Sequence, residues 1–287
     1  MENHKIWIVV PVFNREKEIY SFLNQMFSQT FQNFIIVVVD HGTTAIDFSA
    51  FKDFRLRIVR EDSSLWWTGA INSGIAMIYG EIAANDSILL INDDVVIDSD
   101  YLQNISAAAG RNPNSIVGST GVDANNQRVI YTGRLLNKPN ARFYSPHNGY
   151  KYSEIRETGG ICESHILFGR GMLIPFKIME SVGKFNDDRL SHYGADSEYS
   201  WRAHKMGIRV ICALDAPVYI KEKKSEYPVD SNDSLIGHLT YKRRAGNFSA
   251  MSNFALLSFS TFYASYFILL NSIRKSLSYF KTKYQKA

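Results

Sequence analysis

The sequence predicts an α/β fold: a mostly parallel central sheet flanked by helices, with a helical segment added at the C-terminal end. Three observations carry that expectation. Short Val- and Ile-rich runs recur through the first hundred residues with few polar interruptions, as strands buried on both faces do. Segments with apolar residues at helical spacing separate these runs, which implies right-handed βαβ crossovers. From Ser234 onward the chain changes character, with eight Lys or Arg residues and no Asp or Glu.

"KIWIVVPVF" (Lys5 to Phe13) is the first strand, and "REKEIYSFLNQMFSQ" follows with Ile19, Phe22, Leu23 and Met26 on one helical face. "FIIVVVD" (Phe34 to Asp40) and "RLRIVRE" are the second and third strands. A helix is expected from about Ala70 to Tyr79, leading into a buried strand from Ile88 to Asn92. In "SDYLQNISAAAG", Ser99 is the expected N-cap of a helix that stops at Gly110. Beyond it, "RVIYTGRLL" and "SHILFGRGMLIP" are expected strands on either side of a polar stretch containing Pro139 and Pro146. A helix from near Asp196 to Gly207 and a strand at "RVICAL" complete the domain.

A hydrophobic content of 45% with 21% charged residues is ordinary for a globular chain and gives no sign of disorder. Cys162 and Cys212 stand in no metal-like spacing, which points to a reducing compartment. The N-terminal apolar run is short for a signal peptide and is interrupted by Pro11. A cytoplasmic location is therefore expected.

Parallel sheets bind ligands beyond the carboxyl ends of their strands. Three predicted strands end in chemically capable residues: "VVPVFNR" at Pro11 to Arg15, "VVVD" at Asp40, and "INDDV" at Asp93 and Asp94. Such acids are often turn residues. They are also hard-oxygen ligands for Mg²⁺ or Mn²⁺, which bind through one or two carboxylates plus substrate phosphates. No Gly-x-Gly-x-x-Gly or Gly-Lys-Ser loop follows the first strand, which argues against a dinucleotide fold or a P-loop. The adjacent Trp66 and Trp67 in "LWWTGAINSGI" are either core or an aromatic wall for a base or sugar. In "HYGADSEYSWRAHKMG", Asp196 falls at the start of a helix. The helix dipole there suits either a structural acid or an ionised general base. Glu198 and Arg202 are spaced to pair at i, i+4, so Glu198 is the expected structural acid.

These motifs, in this order, resemble the family 2 glycosyltransferases, inverting enzymes of the GT-A fold that use nucleotide-diphosphate sugars. The matching stretches are "VVPVFNRE", "IIVVVDHGT", "WWTGAINSGI", "LLINDDVVIDSDYL" and "FNDDRLSHYGADSEYSWRAHKMGIRV", from about Ile6 to Val210. The resemblance implies that Pro11, Phe13 and Arg15 line the base and ribose and that Asp40 hydrogen-bonds a pyrimidine. It also implies that Trp66 and Asn72 flank the nucleotide. The family's Asp-x-Asp falls on Asn92, Asp93 and Asp94, so Asn92 replaces its first acid. Asp94 is left as the metal ligand for Mn²⁺ or Mg²⁺, with Asp93 near the ribose. The family's Glu-Asp pair falls on Ala195 and Asp196, which keeps the catalytic base and loses the Glu. No His follows "RVICAL" in "APVYIKEKK", so a further metal ligand found in some relatives is missing there.

The tail holds 29 uncharged residues, from Ala245 to Ile273, between basic flanks. Phe248, Met251, Ala255, Phe259, Phe262, Tyr266, Leu269 and Ile273 step by threes and fours. An amphipathic helix on an anionic membrane surface or against a partner subunit is preferred to a membrane span. An ordinary helical hairpin closing the domain is the plain alternative. Nucleic-acid binding is not expected, because the aromatic residues sit apart from the basic ones.

The expected organisation is a catalytic domain over residues 1–225 and a basic helical segment over 226–287. The expected activity is transfer of a sugar from a UDP- or dTDP-type donor to a hydroxyl of a surface polysaccharide or lipid-linked glycan, at the inner face of the membrane. The rivals are a sugar nucleotidyltransferase, which would want a Gly-rich basic loop after the first strand, and a catalytically silent subunit of a polysaccharide-assembly complex.

Overall fold

In the computed structural model, residues 4–156, 160–221 and 247–284 are described, with the single positions 235 and 237. The run "IWIVVPV" has no polar side chain and forms β1 (Ile6–Val12), buried along its whole length. It pairs in parallel with β2 (Phe34–Asp40), which pairs in parallel with β3 (Leu56–Arg60). On its other side β1 pairs in parallel with β4 (Ser87–Leu90). Between β1 and β2, α1 (Glu16–Phe27) buries Ile19, Phe22, Leu23 and Met26, the face that the spacing predicts.

Two boundaries differ from the sequence reading. Helix α2 (Trp66–Ile78) starts four residues before Ala70, because a short 3-10 turn over Ser63–Leu65 leads directly into it. Trp66 there takes φ 54°, a left-handed conformation that is strained for a bulky side chain. Helix α3 (Tyr101–Arg111) is capped at Asp100 instead of Ser99, whose carbonyl accepts a hydrogen bond from Thr30 N at 2.8 Å.

The second half of the sheet is mixed. After the two-residue β5 (Val95–Val96), β6 (Ser115–Asp123) is a long buried strand, and β7 (Val129–Tyr131) turns back antiparallel to it. "RVIYTGRLL" is thus split: its end joins β8 (Leu135–Asn137), which pairs with β9 (Arg142–Tyr144) as a separate hairpin. Helix α4 (Tyr152–Arg156) and β10 (Ile161–Glu163) follow. "SHILFGRGMLIP" is a strand only at β11 (Met172–Pro175), which runs antiparallel to both β4 and β6. Helices α5 (Phe176–Val182) and α6 (Ala195–Lys205) precede β12 (Arg209–Ile220). β12 pairs in parallel with β6 and breaks register between Ala213 and Pro217. That irregularity bends its end to meet β5 behind Asp94, as a bulge does.

The basic tail folds back on the domain. Helix α7 (Phe248–Ser258) ends where Phe259 becomes extended, and α8 (Thr261–Tyr284) begins two residues later. Phe254 and Phe267 join Phe143, Trp201 and Phe259 in an aromatic cluster, with ring centroids 5.2 to 6.2 Å apart. Trp201 Nε1 donates to Ser258 O at 2.9 Å, and Tyr263 and Tyr266 donate to the carbonyls of Lys138 and Pro139. The hairpin alternative therefore holds for the inner face. The break at Phe259 shifts the helical phase, so Phe262, Tyr266, Leu269 and Ile273 do not continue the buried seam and are exposed. Among the described residues no helix is long and apolar enough to cross a membrane. The expected boundary between residues 225 and 226 lies outside the described residues.

Candidate active site

Asp93 and Asp94, at the end of β4, face arginines. β4 delivers Asn92, Asp93 and Asp94 to the carboxyl rim of the sheet. Arg15, at the start of α1, places Nη1 3.1 Å from Asp93 Oδ1 and 3.3 Å from Asp94 Oδ2. Arg170 reaches the same Asp94 Oδ2 with Nη2 at 3.1 Å. Asp93 is 3% exposed, and burial pushes its carboxyl up to about 7 against the pull of Arg15. Burial acts to lower the Arg170 pKa, but the attraction of Asp94 prevails and raises it. Asn92 is turned by Trp67, whose Nε1 donates to its Oδ1 at 3.0 Å.

Asp196 approaches the same place from α6. Gly194, at φ 87°, lets the chain turn into the helix. Asp196 Oδ2 accepts from Gly169 N at 2.9 Å and Oδ1 from Ser197 N at 2.7 Å. Burial raises its pKa, partly offset by those N–H donors and by the Arg170 charge. Gly169 and Arg170 are consecutive, so one dipeptide touches both Asp196 and Asp94. The glycines on either side of Arg170 are steric requirements: a Cβ on Gly169 would collide with the Trp67 ring, and Gly171 has φ 93° with Ser119 against it. Glu198 behaves as expected. It is 4% exposed and pairs with Arg202 through Nε at 2.9 Å and Nη2 at 3.2 Å.

The remaining expected residues divide. Asp40 is buried, accepting from Gly42 N at 3.1 Å and Ile46 N at 2.9 Å and pairing with Arg60 at 2.8 Å. Its carboxylate thus fixes the loop after β2. Phe13 lies 5.4 Å from the His41 ring, and burial lowers that imidazole to about 4, so it is neutral. Pro11 is buried inside β1 opposite Val39. Asn72 is occupied with main chain, donating to Phe185 O at 2.9 Å and accepting from Phe185 N at 3.1 Å. Trp66 sits 5.4 Å from His192, in the loop that precedes Asp196, and Tyr193 stands 4.3 Å beyond. Arg15, Asp93 and Asp94 are therefore brought together, while Asn72 serves the scaffold and Trp66 belongs to the Asp196 side. Sequence reasoning missed Arg170 and the His192–Tyr193 pair, and gave Trp67 no contact with Asn92. The available signal for Arg170 was a charged residue between two glycines in an otherwise apolar run.

A mixed α/β sheet with flanking helices and acids at its carboxyl rim is the arrangement of the GT-A fold. The Glycosyl transferase family 2 model matches residues 7–182, so the chain belongs to that family. Glycosyltransferase GlyG of Streptococcus pneumoniae serotype 4 is 26% identical over 105 residues, 35% of this chain and 33% of that protein. The Escherichia coli UDP-Glc:alpha-D-GlcNAc-diphosphoundecaprenol beta-1,3-glucosyltransferase WfgD is 22% identical over 179 residues, 61% of this chain and 64% of WfgD. The chain thus spans less than two thirds of either relative. A crystal structure of GalNAc-T7 with UDP, GalNAc and Mn²⁺ superposes with a TM-score of 0.65 at 11% identity, over 93% of this chain and 50% of that one, a likeness of fold.

Proposed function

We propose that this glycosyltransferase works by inversion, moving a sugar from a nucleotide-diphosphate donor to a hydroxyl of a polysaccharide or lipid-linked glycan. The observation that carries the reading is the Gly169–Arg170 dipeptide holding Asp196 at one end and Asp94 at the other. Arg15 and Arg170 bind the donor's diphosphate and stabilise the charge that builds on the leaving group. Asp196 takes the proton from the acceptor hydroxyl as it attacks the opposite face of the sugar. Phe13, Asp93 and the loop fixed by Asp40 cradle the nucleoside, and Trp66 with His192 forms a wall for a sugar.

The donor set suits Mn²⁺ or Mg²⁺. Asp94 with Asp93 beside it supplies hard oxygens, and substrate phosphates complete such sites. Among the described residues no group of three His, Cys, Asp or Glu could hold an ion alone, which favours a site shared with the donor. When bound, the ion would neutralise the departing diphosphate. Metal-dependent hydrolysis of one nucleotide sugar in a panel, by the full-length protein, tests the reading. Binding without hydrolysis or transfer would instead favour the silent-subunit alternative suggested by Ala195.

The outer face of α8 supports attachment to an anionic membrane surface at its cytoplasmic side. Phe262 is 87% exposed, Leu269 59% and Leu277 64%. No acidic residue occurs from Ser234 to the end, so charge complementarity favours anionic lipid. Flotation with phosphatidylglycerol vesicles, lost in Leu269→Glu, is the expected result; equal flotation of the variant would remove this role.

A further inference from the structure

A cationic cleft opens where the β6–β7 turn, α4 and the end of β12 meet. Its volume is about 410 Å³, within the ~300–1,000 Å³ of small-ligand clefts. Arg128, Lys151 and Arg156 line it together with Asn126 and the rings of Tyr152 and Tyr219, and the lining contains no carboxylate. Arg128 and Lys151 face each other across an antiparallel bridge. Among the described residues, none of the three cations is in a salt bridge. Two neighbouring acids have hydrogen-bond partners of their own, and Glu154 of α4 stands outside the lining. Asp98 accepts from the Tyr219 hydroxyl at 3.0 Å, and Asp123 accepts from Asn125 N and Asn126 Nδ2.

The aromatic walls are fixed. Tyr152 donates to Leu214 O at 3.1 Å, and the two tyrosine rings meet edge to face at 6.3 Å. Both pack on the side of the sheet that carries α6 and Asp196. Tyr219 pairs with Val96, two residues beyond Asp94. At ~3.3 Å per strand residue and ~4.8 Å between strands, this wall stands on the order of 10 Å from Asp94. The cleft thus opens near the sheet rim that carries Asp94, within reach of a glycan that reacts at that rim.

We propose that this cleft is an acceptor subsite for an oxyanion, a phosphate or a carboxylate carried by the glycan near its reacting end. The proposal rests on the transferase reading above. Guanidinium and ammonium groups bind such oxyanions by charge-assisted hydrogen bonds, while tyrosine faces and an amide suit the adjoining sugar.

The test is calorimetric titration of the full-length protein with phenyl phosphate, phenyl β-glucuronide and the neutral phenyl β-glucoside. UDP, GDP or dTDP, whichever binds, is kept saturating so that the nucleotide site is filled. The comparison is the triple variant Arg128→Gln, Lys151→Gln, Arg156→Gln, with its folding checked by melting temperature. At least one anionic probe is expected to bind the wild type and to weaken by about tenfold or more in the variant, as loss of charged hydrogen bonds requires. High salt should weaken it likewise. The glucoside should not distinguish the two proteins. Preference for phenyl phosphate assigns a phosphate-bearing acceptor, and preference for the glucuronide an acidic sugar. Equal anion binding by both proteins, or none by a wild type that binds nucleotide, overturns the subsite. Failure of every nucleotide to bind would instead count against the transferase reading.

Discussion

Asp94 and Asp196 reach the same rim of the sheet from opposite sides, and their neighbours differ. Asp94 has two guanidinium groups within 3.3 Å, so negative charge there is matched by fixed positive charge. Asp196 accepts from the N–H groups of Gly169 and Ser197 and from the Ser197 side chain, and burial raises its pKa. The first environment, with its guanidinium groups, favours a polyanion such as a diphosphate, while the second favours a group that accepts a proton. Identical side chains thus acquire different chemistry from what surrounds them.

The comparison breaks most severely if Asp94 is dispensable. Asp94→Ala should abolish transfer and remove any Mn²⁺ dependence of donor binding, measured by titration with and without the ion. Arg170→Gln should cost about 10²–10³-fold in kcat, the range for removing one donor that stabilises developing charge. Loss confined to KM would make Arg170 a ground-state contact only. Phe254→Ala tests whether the tail belongs to the domain carrying both acids. It should destabilise the protein by about 3–5 kcal/mol in chemical denaturation, because the ring is buried in the aromatic cluster. A truncation at Gly246 should therefore fail to leave an intact domain, contrary to a tail that is only an appendage. Glu198→Gln should show the smallest change in turnover, since that carboxylate is committed to Arg202.

Much of this was legible in the sequence, unevenly. β1, β2 and β4 are apolar runs buried on both faces, so pattern and structure coincide. The α1 face and the Glu198–Arg202 pair follow from helical spacing alone. "HILFGRGML" misleads because its apolar residues resemble a strand, whereas two glycines under steric pressure make it the loop that presents Arg170. The start of α2 was hidden because Trp66 enters the helix through a left-handed turn. The tail pattern ran across a helix break at Phe259, which no periodicity count reveals. Asn72 was placed beside the nucleotide by analogy of position, yet its amide is claimed by Phe185, a contact 113 residues away in the chain.

The central claim is that Asp196 is the proton acceptor and Asp94 belongs to the donor side, and the Asp196→Asn variant tests it most directly. Its donor affinity, with and without Mn²⁺, should match the wild type, while kcat falls by roughly 10²–10⁴-fold, the range of general-base catalysis. Loss of donor binding in Asp196→Asn, or near-normal turnover, would contradict that division of labour and send the search for the base elsewhere on the rim.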